Sequence, residues 1–320
     1  MTVAPLGTGS IGLGLSAVGD TGRAVMQRLV ADARAAEAAG FDGVTLSEHH
    51  GGFAHYLPSP LAVSAQLLAR LDRAWAIACP SILPLRDPVL VAEDLAWLAA
   101  TYPGRVGAGF VAGYQRADFD VVGADFDGRD AAYWQGLGDL VRALGAGSEP
   151  SPVKGDPAID ALGTAGLPLV AGVGGPVGVR RSARLGVGVL LTSLRAPEAC
   201  ADLIRMYRTA GGTRTVVLIR RVHVGTDAAG FGMSESAWQG RSDAPSWLHA
   251  ADGALLTGSA DQVAAKLVDA IRTSGADALN LRLDAYTGDD AQVPDQIARL
   301  AADVLPRIRA ELGWATTEDA

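Results

Sequence analysis

The sequence predicts an α/β protein, a (β/α)8 TIM barrel with insertions, on three observations. Strand-like and helix-like segments alternate eight times with short connections. The strands include continuous apolar runs such as Val216-Val217-Leu218-Ile219, and 320 residues suit one barrel of this kind. Apolar runs without alternation mark strands buried on both faces, as in a parallel sheet jacketed by helices. Eight such units favour a closed barrel over an open sheet, so one domain over residues 1–320 is expected.

The elements follow in order. Ile11-Gly12-Leu13-Gly14-Leu15 reads as a glycine-rich buried strand, and Thr21 to Ala39 has apolar residues at helical spacing until Gly40 stops it. Strand Gly43 to Ser47 precedes helix Pro58 to Leu71. Strand Trp75 to Ile82 precedes a helix from Pro88 to Ala100, opened by proline in its first turn. Strand Val106 to Phe110, helix Gly128 to Leu144, strand Pro168 to Val173 and helix Val177 to Leu185 continue the pattern. Strand Gly188 to Thr192, helix Pro197 to Thr209, strand Thr215 to Val224, helix Ala260 to Thr273, strand Ala278 to Leu283 and helix Val293 to Leu312 complete it. Two inserts interrupt the alternation: Gly145 to Gly166, and Gly225 to Gly258 with Phe231, Trp238 and Trp247. Their length suits lids or cofactor loops.

Composition removes several function classes. Hydrophobic residues make up 49% and charged residues 19%, which excludes a disordered or fibrous chain. A net charge of −8 without a Lys/Arg cluster argues against nucleic acid, whose binding needs a positive face. The two cysteines, Cys79 and Cys200, make no disulfide framework. Residues 1–20 lack a signal-peptide build and no apolar run is of membrane-spanning length, so a cytoplasmic protein without a membrane partner is expected.

The chemistry concentrates in Val44-Thr45-Leu46-Ser47-Glu48-His49-His50-Gly51-Gly52, where an apolar strand ends in a carboxylate and two imidazoles. Histidine titrates near neutrality, and the carboxyl ends of barrel strands form the active face. A polar strand end packed under a loop is the alternative. Adjacent residues on a strand point to opposite sides, so His49 and His50 are poorly placed to chelate one ion, and His55, His223 and His249 stand at no familiar ligand spacing; no metal is expected. Ala171-Gly172-Val173-Gly174-Gly175-Pro176 runs from a strand into a helix and would turn amides toward a phosphate, although glycines equally serve tight turns. No Gly-x-Ser-x-Gly occurs, and the Rossmann glycine pattern fails at Val177. Tyr114, Trp134, His55, Tyr56 and His223 are candidate pocket residues; only Tyr114 is carried forward as a site residue.

These pieces together resemble the luciferase-like flavin-dependent monooxygenase superfamily over almost the whole chain. The resemblance rests on Ala39-Gly40-Phe41-Asp42-Gly43 leading into Ser47-Glu48-His49-His50, and on Leu83-Pro84-Leu85-Arg86-Asp87-Pro88-Val89 with Ala92-Glu93-Asp94. Gly104-Arg105-Val106, the segment from Gly113-Tyr114 to Asp118-Phe119 and Arg129 follow. Thr257-Gly258-Ser259-Ala260-Asp261-Gln262-Val263 and Ser274-Gly275-Ala276-Asp277 close it. The resemblance implies a barrel binding reduced FMN, supplied by a separate flavin reductase, or a deazaflavin coenzyme in a sister branch. His49 is then the acid-base group, His50 its neighbour, and Glu48 a carboxylate orienting either ring.

The resemblance also implies a cis peptide in the third strand beneath the flavin, which counting back from Pro84 places at Cys79-Pro80. An X-Pro cis bond costs only about 0.5–1 kcal/mol. The luciferase arginine after strand four is replaced here by Ala112, and polar side chains at the end of strand five become Gly172 and Val173. Arg129 and the amides of Gly174, Gly175 and Val177 remain to hold a phosphate. A homodimer through the second and third helices is implied too, with Leu61, Leu67 and Trp97 as contributors. Three functions are thus open: an FMN-dependent monooxygenase acting on a small organic substrate, a deazaflavin-dependent dehydrogenase or reductase, and a non-catalytic flavin-binding protein.

Overall fold

The computed structural model describes residues 3–146, 150–162, 166–225, 255–283 and 292–315. Eight parallel strands close a barrel: β1 (Ile11–Leu15), β2 (Gly43–Leu46), β3 (Trp75–Ile82), β4 (Ala108–Val111), β5 (Leu169–Gly172), β6 (Gly188–Leu191), β7 (Val216–Val224) and β9 (Ala278–Leu283). Pairing of β6 with β7 closes the ring, and β9 lies between β7 and β1. The (β/α)8 expectation holds, with one addition. Strand β8 (Leu255–Gly258), at the end of the second insert, pairs with Arg221–Val224 of β7, beyond the point where β6 stops pairing at Leu218.

Outside the ring stand α1 (Gly22–Ala38), α2 (Pro60–Leu68), α3 (Pro88–Thr101), α5 (Arg129–Ala143), α7 (Pro176–Leu185), α8 (Pro197–Thr209) and α9 (Ala260–Ser274). Two short helices were not expected: α4 (Arg116–Val122) and α6 (Pro157–Leu162). The last expected helix is split into α10 (Gln292–Arg299), a π-helical turn at Leu300–Val304 and α11 (Leu305–Leu312). Some helix starts are chemically marked. Asp87 accepts from the amides of Val89 and Leu90, and Ser259 with Gln262 forms a reciprocal capping box. Leu67 is fully buried, so it belongs to the core and not to an outer patch, whereas Leu90 and Trp97 of α3 are exposed. No helix among the described residues is long and apolar enough to cross a membrane.

The bore is filled by one indole. Gly12 and Gly43 lack the side chains that would collide with the Trp75 ring, which packs in a cluster with Leu6, Ile77, Cys79, Val170, Leu190, Val217, Ile219 and Ala278. A larger jacket of Leu, Val, Ile and Ala joins the strands' outer faces to the helices. Beside the start of β2, buried Asp42 accepts from the Ile11 amide at 2.7 Å and from Arg309 of α11 at 3.1 Å, tying the last helix to the first strands.

Enclosure pushes the Cys79 thiol up to about 12, with Arg282 opposing the shift, and burial raises Cys200 as well. A thiol at about 12 is roughly 10⁻⁴ ionised at pH 8, and the thiolate is the reactive form. Iodoacetamide at pH 8 is therefore expected to leave the native protein unmodified and to label both cysteines once urea unfolds it, as mass spectrometry will read. The raised Cys79 value also favours the folded state below about pH 9, and that contribution is lost as pH climbs toward 12.

Candidate functional site

Beyond Leu46 the chain leaves β2 and closes a loop back on itself. The Glu48 amide donates to the Pro80 carbonyl, the His49 amide to Leu57 O, and the Leu57 amide to Ser47 O. Gly51 and Gly52 make the reversal, at φ +67° and +73°, where a side chain would be strained. This loop sets His49 at the carboxyl end of the barrel, 6% exposed, with Phe53 stacked on it at 4.4 Å and Tyr56 edge-on at 4.5 Å.

Both ring nitrogens of His49 are used. Nδ1 lies 2.7 Å from Asp118 Oδ2, and Nε2 lies 3.1 Å from the Tyr114 hydroxyl. Asp118 is fully buried in the first turn of α4, and its other oxygen accepts the His50 amide at 2.8 Å. A carboxylate has only acceptors to offer, so it fixes the proton on Nδ1 and leaves Nε2 as the exchanging position. Burial, with Tyr56 and Asp118 adding to it, holds the Tyr114 phenol well above its usual range, so this hydroxyl keeps its proton at neutral pH and can donate to Nε2.

Glu48 orients His50, not His49. Its Oε1 meets His50 Nε2 and Arg86 Nη2, each at 2.9 Å, while Oε2 accepts the Ile82 amide at 3.0 Å. Buried and bonded three ways, it clamps the loop to β3. His50 is held in that clamp, and the partner of His49 is Asp118.

The remaining expected residues distribute around the mouth. The Cys79-Pro80 peptide is cis, as expected. Gly172 ends β5, where a Cβ would lie 2.5 Å from Val111 Cγ1. Gly174 and Gly175 lead into α7, which opens on Pro176 without a side-chain cap, leaving first-turn amides of Val177 and Gly178 without intrahelical acceptors. Arg129 donates to the carbonyls of Gly113 and Phe126 and stacks on the Phe126 ring, bracing the turn before Tyr114. Arg195, which sequence reasoning missed, donates to the Gly174 carbonyl, and its Nε is enclosed with no hydrogen-bond partner among the described residues. His55 and Tyr56 line a cleft in the mouth; Trp134 is not part of that lining and packs on Tyr133, under Arg181 and beside Gly178 at the start of α7. His249 and the aromatic residues of the second insert lie outside the described residues. Among the described residues no group of three His, Cys, Asp or Glu is placed to hold a metal ion.

A family model described as luciferase-like monooxygenase matches residues 11–230, more than half of the chain. The chain belongs to the luciferase-like monooxygenase family. Within this family it is similar to the alkanal monooxygenase alpha chain of Photorhabdus laumondii, 35% identical over 115 residues, which is 35% of this chain and 32% of the relative. It is also similar to F420-dependent glucose-6-phosphate dehydrogenase 2 of Rhodococcus jostii, 27% identical over 204 residues and 59% of each chain. These matches span about a third to three fifths of the curated relatives. Among solved structures, monooxygenase RslO1 of Streptomyces bottropensis aligns with TM-score 0.71 at 20% identity, covering 93% of this chain and 99% of that one. An F420-dependent secondary alcohol dehydrogenase aligns with TM-score 0.72 at 19% identity, covering 95% and 99%. At these identities the structural likenesses show the fold alone. The relatives it resembles include both alkanal monooxygenases and F420-dependent dehydrogenases.

Proposed function

We propose that this luciferase-like protein is a flavin-dependent monooxygenase that uses reduced FMN and O2 on a small organic substrate, with His49 as its proton-transfer group. The observation that carries this reading is the Asp118–His49–Tyr114 relay, which leaves one exchangeable nitrogen at the barrel mouth beside an unpaved cleft. The residues fit a flavin. The uncapped start of α7 and the Arg195 guanidinium suit its phosphate. When bound, the cofactor supplies the redox chemistry.

The protein's own part is protonic and steric. Asp118 holds the His49 ring; Nε2 takes a proton from, or returns it to, a group in the mouth, with the Tyr114 hydroxyl able to accompany the transfer. Phe53 and Tyr56 shield the ring from water. The exposed α3 residues Leu90 and Trp97 would pair two copies, and reduced FMN would come from a separate reductase.

A deazaflavin-dependent hydride transfer is the second reading. Two features favour it: the loss of polar side chains at Gly172 and Val173, which shifts phosphate binding to the backbone, and the longer match to the F420-dependent dehydrogenase. Titration of the cofactor-free protein with FMN, reduced FMN and F420, followed by absorbance and oxygen uptake, separates the two. Tight binding of reduced FMN with oxygen consumption is the expected result; binding of F420 alone rejects the monooxygenase.

A further inference from the structure

The mouth carries a second chemistry that the proton relay does not use. In β9, Arg282 has Gly14 of β1 as its register partner on one side and Arg221 of β7 on the other. Side chains alternate along a strand. Ala278 faces the bore, so Arg282, four residues on, faces it too. In β7, Val217 and Ile219 face the bore, whereas Arg220 turns outward to the carbonyl of Arg195 and toward Cys200 of α8. Arg221 consequently faces inward. Two guanidiniums thus start from neighbouring strands roughly 4.8 Å apart and point into one mouth.

The seat for Arg282 is built. A Cβ on Gly14 would lie 3.0 Å from Arg282 Cγ and 3.3 Å from Thr45 Oγ1, so this glycine opens the slot through which the arginine stem runs. Arg282 Nη2 donates to Ser47 Oγ at 2.6 Å, fixing the plane of the fork. Around it a cleft is lined by Gly14, Ser16, Ser47, His55, Tyr56 and Arg282. Every polar side chain in that set has a hydrogen to donate. Tyr56 also touches the edge of the His49 ring at 4.5 Å, so the cleft adjoins the proton-transfer group directly. A guanidinium stays charged at any working pH and matches a carboxylate with two parallel hydrogen bonds.

We propose that the cleft between β1, β2 and β9 binds the carboxylate of an anionic substrate, with Arg282 as the anchoring residue and Arg221 adding charge, so that the reacting carbon is presented to His49. This rests on the barrel mouth being the active site, as proposed above. It narrows the substrate class to small organic acids, in place of the uncharged compounds that an apolar mouth would take.

The test uses benzoate and its uncharged isostere benzamide on the full-length, cofactor-free protein, read by calorimetry and by thermal shift. Benzoate is expected to bind at least tenfold more tightly than benzamide, and that preference is expected to vanish in Arg282→Gln and to return in part in Arg282→Lys. Equal binding of the two probes by the wild-type protein overturns the proposal without needing any variant to fold. So does an Arg282→Gln protein, folded by circular dichroism, that keeps the preference. A parallel titration with oxidised and reduced FMN and with F420 identifies the other source of an anion. If Arg282→Gln weakens only the reduced cofactor and benzoate never binds, the guanidinium serves the cofactor ring and the substrate assignment is overturned. Failure of the wild-type protein to bind any cofactor would remove the oxidoreductase reading but would leave the benzoate result standing on its own.

Discussion

His49→Ala is expected to lower turnover by about 10²- to 10⁴-fold with whichever cofactor the titration selects, the range typical of a lost proton-transfer group. Asp118→Asn is expected to do nearly as much, for a reason that the geometry makes specific. The carboxylate serves two donors at once, the His50 amide at Oδ1 and His49 Nδ1 at Oδ2. An asparagine amide has one oxygen. The His50 N–H is a fixed backbone donor and takes that oxygen, so the NH2 group is turned toward Nδ1 and can be satisfied only if Nδ1 becomes the acceptor. The ring proton then moves to Nε2, and the lone pair that faced Tyr114 is gone. The variant differs from wild type by one atom and should fold, while its histidine is locked in the wrong tautomer. Nitrogen chemical shifts of 15N-labelled histidine report that tautomer independently of activity. An Asp118→Asn protein with the wild-type tautomer and undiminished turnover would remove the relay from the mechanism. Glu48→Gln, by contrast, loosens the clamp on His50 and Arg86 and should cost mainly stability.

The histidine site was legible because its parts are contiguous: an apolar strand, a carboxylate, two imidazoles and two glycines read as a strand end and a turn. Asp118 stood inside the segment that carried the family resemblance, yet no periodicity connects it with a histidine 69 residues earlier. Only the docking of α4 against the β2 loop makes that pair, and α4 is too short to announce itself by an apolar stripe. Arg282 could have been found. The strand Ala278-Leu279-Asn280-Leu281-Arg282-Leu283 places Asn280 and Arg282 on the face opposite the leucines, and polar residues on the inward face of a barrel strand point to its mouth. The eight barrel strands were readable from their apolar runs, and the expected cis Cys79-Pro80 peptide is present. Strand β8 was not readable: four residues, Leu255-Leu256-Thr257-Gly258, become a strand only because β7 outruns β6 and leaves an edge to pair. The π-turn at Leu300–Val304 likewise leaves no mark in a sequence whose apolar spacing continues through it.

Gly43→Ala is expected to be the most destabilising single-methyl change in the barrel. A Cβ built there falls 2.0 Å from Trp75 Cδ2 and 2.4 Å from the Trp75 carbonyl oxygen. The indole has nowhere to retreat, because Gly12 on the next strand already makes way for its far edge, where a Cβ would come within 2.5 Å of Cη2. The carbonyl is no freer, since Gly43 and Trp75 are register partners in the β2–β3 ladder. Overpacking of this kind costs about 3 kcal/mol at the upper end of its usual range, and the backbone clash adds to the ring clash. Urea titration should show a large fall in the unfolding midpoint. Trp75→Leu alone should also destabilise, by about 3 kcal/mol, because it leaves the bore underfilled. The two changes share one space, so the double variant Gly43→Ala/Trp75→Leu should be more stable than the sum of the single effects requires. Gly22→Ala, at the open start of α1 where nothing lies within 4 Å, supplies the contrast: it should be neutral or gain up to about 1 kcal/mol from the stiffer unfolded chain. Strict additivity in the double variant would mean that the indole and the glycine do not compete for the same volume, and the account of how this barrel is filled would have to change.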